Sequence, residues 1–363
     1  MLIGRALAAY PIGKLMDTLG RRPALALGYL IGIGGAVTAA LAVMAGSFPG
    51  LVAGSLLFGM ARVSNDQARY VAAEVHSTDQ RGFIIGLIVF AGTVGAIAVP
   101  GVVAVSTGLA EGGGSGTFAG PWFAAAVLVC ASFVLTVGLV RPDPRDLSLT
   151  NGVEGRPDEG FGLNAGRVRS LREIFSAGHV RLAVFSMFIG QAVMVLVMTI
   201  APVHMHDHGH VPTTISIAVT VHTLGMFGLA AITGRLVDRY GRTPIIAVGA
   251  SQLMVASLLI PFTHHLALML VMMFLLGYGW NLCFVAGSSL LIDGLGPRER
   301  GRTQGTGDGI VAVSAAVGAL ATGPVFGAGG MGHIGAAAIA FSLVLIVVLG
   351  WRRLPRQSVS RVP

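Results

Sequence analysis

An all-α, polytopic membrane protein is the fold class that this sequence predicts. The 363 residues are 54% hydrophobic and only 11% charged, and their mean hydropathy is +0.78. In a soluble chain, about a quarter of the residues would be charged. The apolar residues here are too many to be buried in the core of a soluble protein. Apolar stretches of roughly 20 residues, the length that a helix needs to cross a bilayer, recur along the chain. Most of the surface is therefore expected to face lipid.

Ten apolar stretches are long enough to be transmembrane helices, and a shorter piece precedes Gly13, which gives about 10–11 helices in all. A polar stretch rich in Arg, Pro and Gly, 141–178, is the one long connection. It divides the chain into an N-terminal bundle (1–140) and a C-terminal bundle (179–351), followed by a tail (352–363). In chain order the ten stretches are 24–45, 49–73, 83–106, 120–140, 179–203, 212–234, 243–263, 266–291, 302–327 and 332–351.

Basic residues occupy alternate connections, and this pattern predicts the orientation of the chain. By the positive-inside rule the arginine-rich connections and the C-terminus are cytoplasmic. This placement accounts for the net charge of +8 without a nucleic-acid partner. Abundant Ala, Gly and Arg beside a single lysine, Lys14, favour a bacterial protein of the plasma (inner) membrane. The basic clusters are Arg21–Arg22, Arg81, 141–181, Arg235–Arg242, Arg298–Arg302 and Arg352–Arg361.

A charged segment occurs twice in the chain. GKLMDTLGRRP (Gly13–Pro23) and GRLVDRYGRTP (Gly234–Pro244) lie 221 positions apart. STDQRG (Ser77–Gly82) and GPRERG (Gly296–Gly301) repeat at an offset of 219. A duplicated helical bundle is a common transporter architecture, in which the substrate path lies between the two halves.

Charged residues also mark the ends of the duplicated segments. Glu74 and Arg81 in the first half correspond to Asp293 and Arg300 in the second half. These four residues are expected to form charge pairs at the cytoplasmic ends of their helices.

The duplicated segment resembles the signature loop of the major facilitator superfamily, G-x-L-x-D-x-x-G-R-[RK]-P. The resemblance implies two six-helix bundles, and it implies that Asp17 latches the halves in an outward-facing state against the start of a helix near Arg302. A carboxylate at that place meets free N–H groups and the positive end of a helix dipole. The alternative is that the segment only sets topology. The matching residues are Gly13, Leu15, Asp17, Gly20, Arg21 and Arg22, with a weaker repeat at Gly234, Leu236, Asp238, Gly241 and Arg242.

The first bundle starts late when it is compared with the second. About 55 residues separate the start of the stretch near 179 from Gly234, whereas only 12 precede Gly13, a difference of about 43. The resemblance therefore implies an N-terminally truncated first bundle that lacks helix 1 and part of helix 2. A misassigned start codon, a truncated gene and a protein that works without helix 1 are the three explanations.

The stretch 49–73 carries polar residues on one helical face. Arg62, Asn65 and Asp66, with Arg69, follow the spacing i, i+3, i+4 and i+7. A charge near mid-membrane must face the bundle interior, so Arg62 is expected there, with Asp66 as its partner. The face is a candidate for substrate or proton coupling, and the alternative is an ion pair that only holds helices together.

Four further polar or aromatic residues lie at a similar depth in the C-terminal bundle. The superfamily resemblance implies that Gln191, Trp280 and Asn281 stand on helices that line the substrate cavity, and His222 could titrate near neutral pH. As the alternative, each of these side chains could simply join neighbouring helices. Arg5 and Asp308 could line the inner vestibule or simply reach water.

Histidines are concentrated in the segment HMHDHGH, which is expected to be an external loop. Imidazole and carboxylate groups suit Zn or Ni, although a solvated loop without a bound ion is the plainer interpretation. The members are His204, His206, Asp207, His208 and His210, with His264, His265 and His333 in other external loops.

Taken together, these features predict a secondary active transporter that moves a small solute by alternating access, driven by protons. The chain has no phosphate-binding loop of the G-x-x-x-x-G-K-[ST] type and no catalytic constellation, so neither ATP drive, nor an enzyme, nor a cofactor is predicted. The expected partners are the lipid bilayer, a small-molecule substrate and protons. Transport or sensing of divalent metal, and a non-transporting remnant or sensor, are the alternatives.

Overall fold

The computed structural model describes residues 1–113, 118–151, 168–260 and 265–353, and their regular secondary structure is helical. A 3₁₀ turn (Thr78–Gln80) precedes α4, and a π turn (Leu224–Gly228) joins α9 to α10. The helices are α1 (Leu2–Leu19), α2 (Arg21–Met44), α3 (Phe48–Glu74), α4 (Arg81–Gly112), α5 (Gly120–Leu139), α6 (Pro144–Asn151), α7 (Leu171–Ser176), α8 (Gly178–Asp207), α9 (Pro212–Thr223), α10 (Ala230–Tyr240), α11 (Arg242–Leu259), α12 (Leu266–Ile292) and α13 (Arg300–Arg353).

The predicted all-α polytopic fold is confirmed. Each of the ten predicted stretches falls mainly on helix, with 261–263 outside the described residues, and the short piece before Gly13 belongs to the 18-residue helix α1. Eight helical segments of the described residues are long and apolar enough to cross a membrane. One of them, α13, consists of two arms that meet at a kink at Gly329 and Gly330, where Gly330 has a φ of +63°.

The duplicated segment folds as two helices joined by one glycine. Gly20 separates α1 from α2 with a φ of +107°, and Gly241 separates α10 from α11 with a φ of +88°. Only glycine adopts this region without a steric penalty, so the second glycine of the motif is required by the turn. The turn places the Asp before it and the Arg after it at adjacent helix ends.

Glycines let the two halves of the chain touch backbone to backbone. A Cβ atom on Gly13 of α1 would lie 2.2 Å from the carbonyl oxygen of Gly301 in α13, and one on Gly234 of α10 would lie 2.2 Å from that of Gly82 in α4. Small residues permit such close helix contact. The two helix pairs are related by the repeat, and they join the halves at one end of the bundle. We call it the basic end, because Arg21, Arg81, Arg242 and Arg300 lie there.

The predicted linker is partly helical in its described residues. It contains α6 and α7, and residues 152–167 lie outside the described part of the chain, as do 354–363 of the tail. Ser170 and Glu173 form a reciprocal capping box that starts α7. The Asp143 carboxylate accepts from the backbone N–H groups of Arg21 and Arg22 (3.0 and 2.9 Å). The first part of the linker thus caps α2.

We predict that Gly13→Ala destabilises the protein by about 1–3 kcal/mol. The new methyl group would overlap the carbonyl oxygen of Gly301, which cannot move away because the two helices are closely packed. The measurement is thermal unfolding of the purified protein in detergent. Gly95→Ala is the matched control, since Gly95 lies in α4 with nothing within 4 Å of an added Cβ. Equal melting temperatures for the two variants would contradict the close-contact interpretation.

Candidate functional site

Two networks of charged side chains close the basic end. The first clasp consists of Asp17, Arg21 and Glu74 with their partners in the α12–α13 region. The second clasp consists of Asp238, Arg242 and Asp293 with their partners in the α3–α4 region.

The carboxylate of the first clasp sits on a helix N-terminus. Asp17, near the end of α1, accepts hydrogen bonds from the backbone N–H groups of Gly301 (2.8 Å) and Arg302 (2.9 Å) in the first turn of α13. These N–H groups have no partner inside their own helix, and the helix dipole favours an anion there. The contact that the sequence predicts for Asp17 is therefore present, while its role as a gate stays a prediction.

Arg21 is the hub of the first clasp. Its guanidinium donates two hydrogen bonds of 2.9 Å to Glu74, at the end of α3, and one of 2.8 Å across the halves to the carbonyl of Pro297. It also donates to the Met16 carbonyl (2.7 Å) and to Asp17 (3.1 Å). The side chain is only 1% exposed. Such a buried cation is tolerated because all its donors are used.

The second clasp repeats the main contacts of the first. Asp238 accepts from the N–H groups of Gly82 (2.9 Å) and Phe83 (2.7 Å) in the first turn of α4. Arg242 pairs with Asp293 (3.0 Å) and donates to the carbonyl of Thr78 (3.0 Å). Corresponding residues of the two clasps are separated by the same numbers of positions as the repeated sequence segments.

The two clasps differ in burial. The Arg242 and Asp293 side chains are 16% and 26% exposed, against 1% and 0% for Arg21 and Glu74. Burial nevertheless raises the pKa of the Asp293 carboxyl above its ordinary value, although Arg242 and Arg81 oppose that shift. The Coulombic attraction between two charges is stronger where water is excluded, so this attraction is stronger in the first clasp.

The four end charges that the repeat singled out do not all form ion pairs. Glu74 pairs with Arg21, and Arg81 approaches Asp293 at 4.0 Å across the halves. Arg300 makes no ion pair within the described residues and instead donates to the carbonyl of Leu295 (3.1 Å). Its expected pairing is wrong, and both oxygens of Glu74 accept from Arg21 instead.

The end of the linker is fastened to the C-terminal half. Arg169 forms an ion pair with Glu299 (2.5 Å) and donates its backbone N–H to the same carboxylate (2.7 Å). Arg302 donates to the carbonyl of Arg169. Burial raises the pKa of Glu299, but the hydrogen bonds and charge of Arg169 outweigh it and hold that pKa below its ordinary value. The bridge therefore persists at neutral pH and is lost only in acid.

A cavity of about 480 Å³ lies between the halves, deeper in the bundle than the clasps. The N-terminal half contributes residues of α1 to α5, among them Arg5, Tyr29, Arg62 and Asn65. The C-terminal half contributes residues of α8, the π turn and α12. These are Gln191, Met194, Met226, Phe227, Trp280 and Phe284.

Two ion pairs flank the cavity. Asp66 pairs with Arg5 of α1 (2.7 Å), and Arg69 pairs with Asp308 of α13 (2.5 Å). The second pair connects the halves, and it is buried with Gln67, which donates to Asp308 (3.0 Å), and Ser288, which accepts from Arg69 (3.2 Å). The sequence placed Arg69 on the polar face but did not select it as a site residue.

Arg62 faces the cavity without a charged partner. The expectation that Asp66 would pair with Arg62 is wrong, since Arg5 takes that carboxylate at a position where both side chains are largely shielded from water. Arg62 is exposed, and within the described residues it makes no hydrogen bond or ion pair. Asn65, one turn away on the same helix, is also exposed to the cavity.

Of the four C-terminal candidates, two line the cavity and two do not. Gln191 and Trp280 line it, and the Trp280 indole N–H donates to the Gln191 side-chain oxygen (3.0 Å). His222 contacts the carbonyl of Met273 (3.0 Å), and Asn281 donates to that of Met226 (2.7 Å). Asn281 points away because one residue turns a helix by about 100°. His222 and Asn281 thus join helices outside the cavity lining.

The histidine-rich segment is not the loop that the sequence suggested. Helix α8 continues to Asp207, so His204 and His206 lie in its last turn, and the rings of His204 and His208 are 4.1 Å apart. Within the described residues, no three His, Cys, Asp or Glu side chains are placed to hold a metal ion. His210 follows the helix, and His265 and His333 lie on other segments, while His264 is outside the described residues.

Comparisons with known proteins identify relatives over the whole chain. The family model described as "Major Facilitator Superfamily" matches residues 1–210 and 182–362. The chain is 30% identical to the uncharacterised MFS-type transporter YdeG of Bacillus subtilis (strain 168), over 97% of this chain and 81% of YdeG. It is 29% identical to the riboflavin transporter RfnT of Brucella anthropi, over 85% of this chain and 74% of RfnT. The structure of the proton:xylose symporter XylE superposes with a TM-score of 0.72 at 14% identity, covering 98% of this chain and 84% of XylE.

We predict that Glu74→Ala destabilises the protein by about 3–5 kcal/mol, because it removes the carboxylate that accepts two hydrogen bonds from the buried Arg21 guanidinium and leaves that cation with the shared carboxylate of Asp17. Thermal unfolding in detergent measures the effect. Glu111→Ala is the control, since Glu111 is exposed at the end of α4. A Glu74→Ala protein that melts at the same temperature as Glu111→Ala would contradict the hub role of Arg21.

Proposed function

The chain belongs to the major facilitator superfamily of membrane transporters, and we propose that it moves a small solute by alternating access, coupled to protons. The observation that carries the proposal is the pair of clasps, which join the halves at the basic end with the cavity behind them. We further propose that the basic end is cytoplasmic, in a bacterial inner membrane, because arginine-rich connections are retained on that side.

The contacts between the halves are of a kind that can open. The clasps consist of hydrogen bonds from helix ends, and water can replace such partners once the ends separate. The apolar packing is also unequally divided: one cluster is built from α1, α2 and α3, and the other mainly from α8 to α13 with a few residues of α3 and α4. Rigid-body rocking of the halves about the cavity is therefore supported by the distribution of apolar and polar contacts.

The Arg69–Asp308 pair supports proton coupling. It connects α3 with α13 between the cavity and the clasps, and both side chains are almost fully buried. Protonation of Asp308 would remove its charge and weaken the pair, and Arg5 and Asp66 are the other charges near it. A proton on Asp308 would thus favour separation of the halves at the basic end.

The character of the cavity supports an organic solute. Aromatic side chains form its C-terminal wall, with Trp280 stacked on Phe284 (ring centroids 4.5 Å apart) and Phe227 edge-on to Trp280 (5.9 Å). The name of RfnT states that it transports riboflavin, which contains a planar aromatic ring system. A solute with a planar ring fits such a wall.

We predict that a cysteine at Asn65 reacts with a membrane-impermeant thiol reagent mainly from the side opposite the basic end, because the clasps close the other side. Asp17→Ala should raise its reactivity from the basic end severalfold, and Asp238→Ala should do so less, since the second clasp is more exposed. Labelling of oriented vesicles, with Cys130 and Cys283 replaced by Ser, measures both rates.

Val127→Cys is the control for this labelling, because Val127 is 68% exposed on the apolar helix α5 and should react from neither side. Unchanged reactivity from the basic end in the Asp17→Ala and Asp238→Ala variants would contradict the role of the clasps as a gate.

We predict that mild acidification raises the basic-end reactivity of Asn65→Cys, and that Asp308→Asn abolishes this response. Rates are normalised to those of Leu19→Cys, an exposed position, to remove the intrinsic pH dependence of the thiol. Asp207→Asn, an exposed carboxyl at the end of α8, should keep the response. A pH response that survives in Asp308→Asn would remove this residue from the coupling step.

A further inference from the structure

We propose that the cavity binds small aromatic organic anions, with Arg62 as the group that neutralises the anionic head. The inference rests on the proposed transport function and names the substrate class that the cavity would accept. Three features of the cavity support the inference: an arginine without a counter-charge, a second hydrogen-bond donor and an aromatic wall.

The charges around the cavity leave one cation unmatched. Arg5 is neutralised by Asp66 at 2.7 Å, and Arg69 by Asp308 at 2.5 Å. Arg62 lines the same cavity and has no ion pair or hydrogen bond within the described part of the chain. An arginine at membrane depth stays charged, so Arg62 can be solvated by water in the cavity or paired with an anion from the solution.

The opposite wall offers a second donor. Trp280 has only an N–H to donate, so its bond to Gln191 fixes the side-chain oxygen of Gln191 as the acceptor. The Gln191 amide NH₂ is then left to donate, and no partner for it is found among the described residues. Gln191 lies on α8 and Arg62 on α3, so an anion that takes both donors connects the two halves.

The apolar part of the ligand has a matching surface. Phe227, Trp280 and Phe284 form one continuous aromatic wall, and Tyr29 and Phe58 line the side that carries Arg62. The cavity volume of about 480 Å³ is within the usual range for sites that enclose small organic molecules. A single charged head and a planar ring of one or two fused cycles therefore match the site.

The test compares carboxylates with their primary amides, which have the same ring and nearly the same size without the charge. The probes are benzoate and benzamide, and 2-naphthoate and 2-naphthamide, measured by isothermal titration and by thermal stabilisation of the purified full chain. We expect each carboxylate to bind roughly tenfold more tightly than its amide or better, because a charge-assisted hydrogen bond replaces a neutral one.

Variants separate Arg62 from a general effect of positive charge. Arg62→Gln should abolish the preference for the carboxylates and leave the amides unchanged, whereas Arg62→Lys should keep most of it. Arg181→Gln, at an exposed arginine near the start of α8, should behave like the wild-type chain. Because wild-type protein alone supplies the acid-to-amide ratio, a poorly folded variant does not prevent the test.

Equal affinity for acids and amides, binding of neither, or a preference that persists in Arg62→Gln would each overturn the proposal. The labelling of Asn65→Cys requires no substrate, so it reports alternating access independently. If the clasp substitutions raise labelling from the basic end but no anion preference is found, the substrate class alone is refuted. An anion preference without that rise in labelling would refute the transport mechanism alone.

Discussion

A charge buried in an apolar bundle needs a counter-charge or hydrogen-bond partners, and this constraint organises the protein. Arg21, Arg69 and Arg5 are each matched by a carboxylate, and Asp17 and Asp238 rest on helix N-termini. Several of these contacts also cross from one half to the other. The contacts that provide partners for these charged groups are therefore also contacts that join the two halves.

The sequence repeat extends to atomic contacts. In both halves, an aspartate binds the first turn of a helix in the other half, and an arginine joins a carboxylate of its own half to a carbonyl of the other half. The repeat is unequal in burial, since Glu74 is shielded from water whereas Asp293 is partly exposed. The second clasp is therefore the one that water reaches more easily.

Much of this could be predicted from the sequence, because lipid imposes simple rules. Length and hydropathy define the spans, and the duplicated segment locates Asp17 and Asp238 at the junction. Partner choice within the bundle could not be predicted. Helical spacing favours Arg62 with Asp66, but a neighbouring helix brings Arg5 closer, and spacing within one helix carries no information about that neighbour.

Other differences have equally local causes. Asn281 adjoins Trp280 in the sequence yet faces another helix, because the exact rotation of α12 is set by its packing. The polar sequence around His204 and His206 favours a loop, but the helical backbone hydrogen bonds of α8 continue through both residues. The spacing of Ser170 and Glu173 is that of a capping box, and this motif could have predicted the start of α7 from the sequence.

The central claim is that the halves rock about the cavity as two bodies, and spin-label distances test it most directly. One pair of labels at Leu19 and Tyr240 reports the basic end, and another at Phe48 and Val211 reports the opposite end; all four positions are exposed. Double electron–electron resonance in lipid nanodiscs should show two populations at each end. Removing both clasp aspartates should lengthen the first distance and shorten the second. A single distance at both ends, unchanged by that double substitution, would contradict the account.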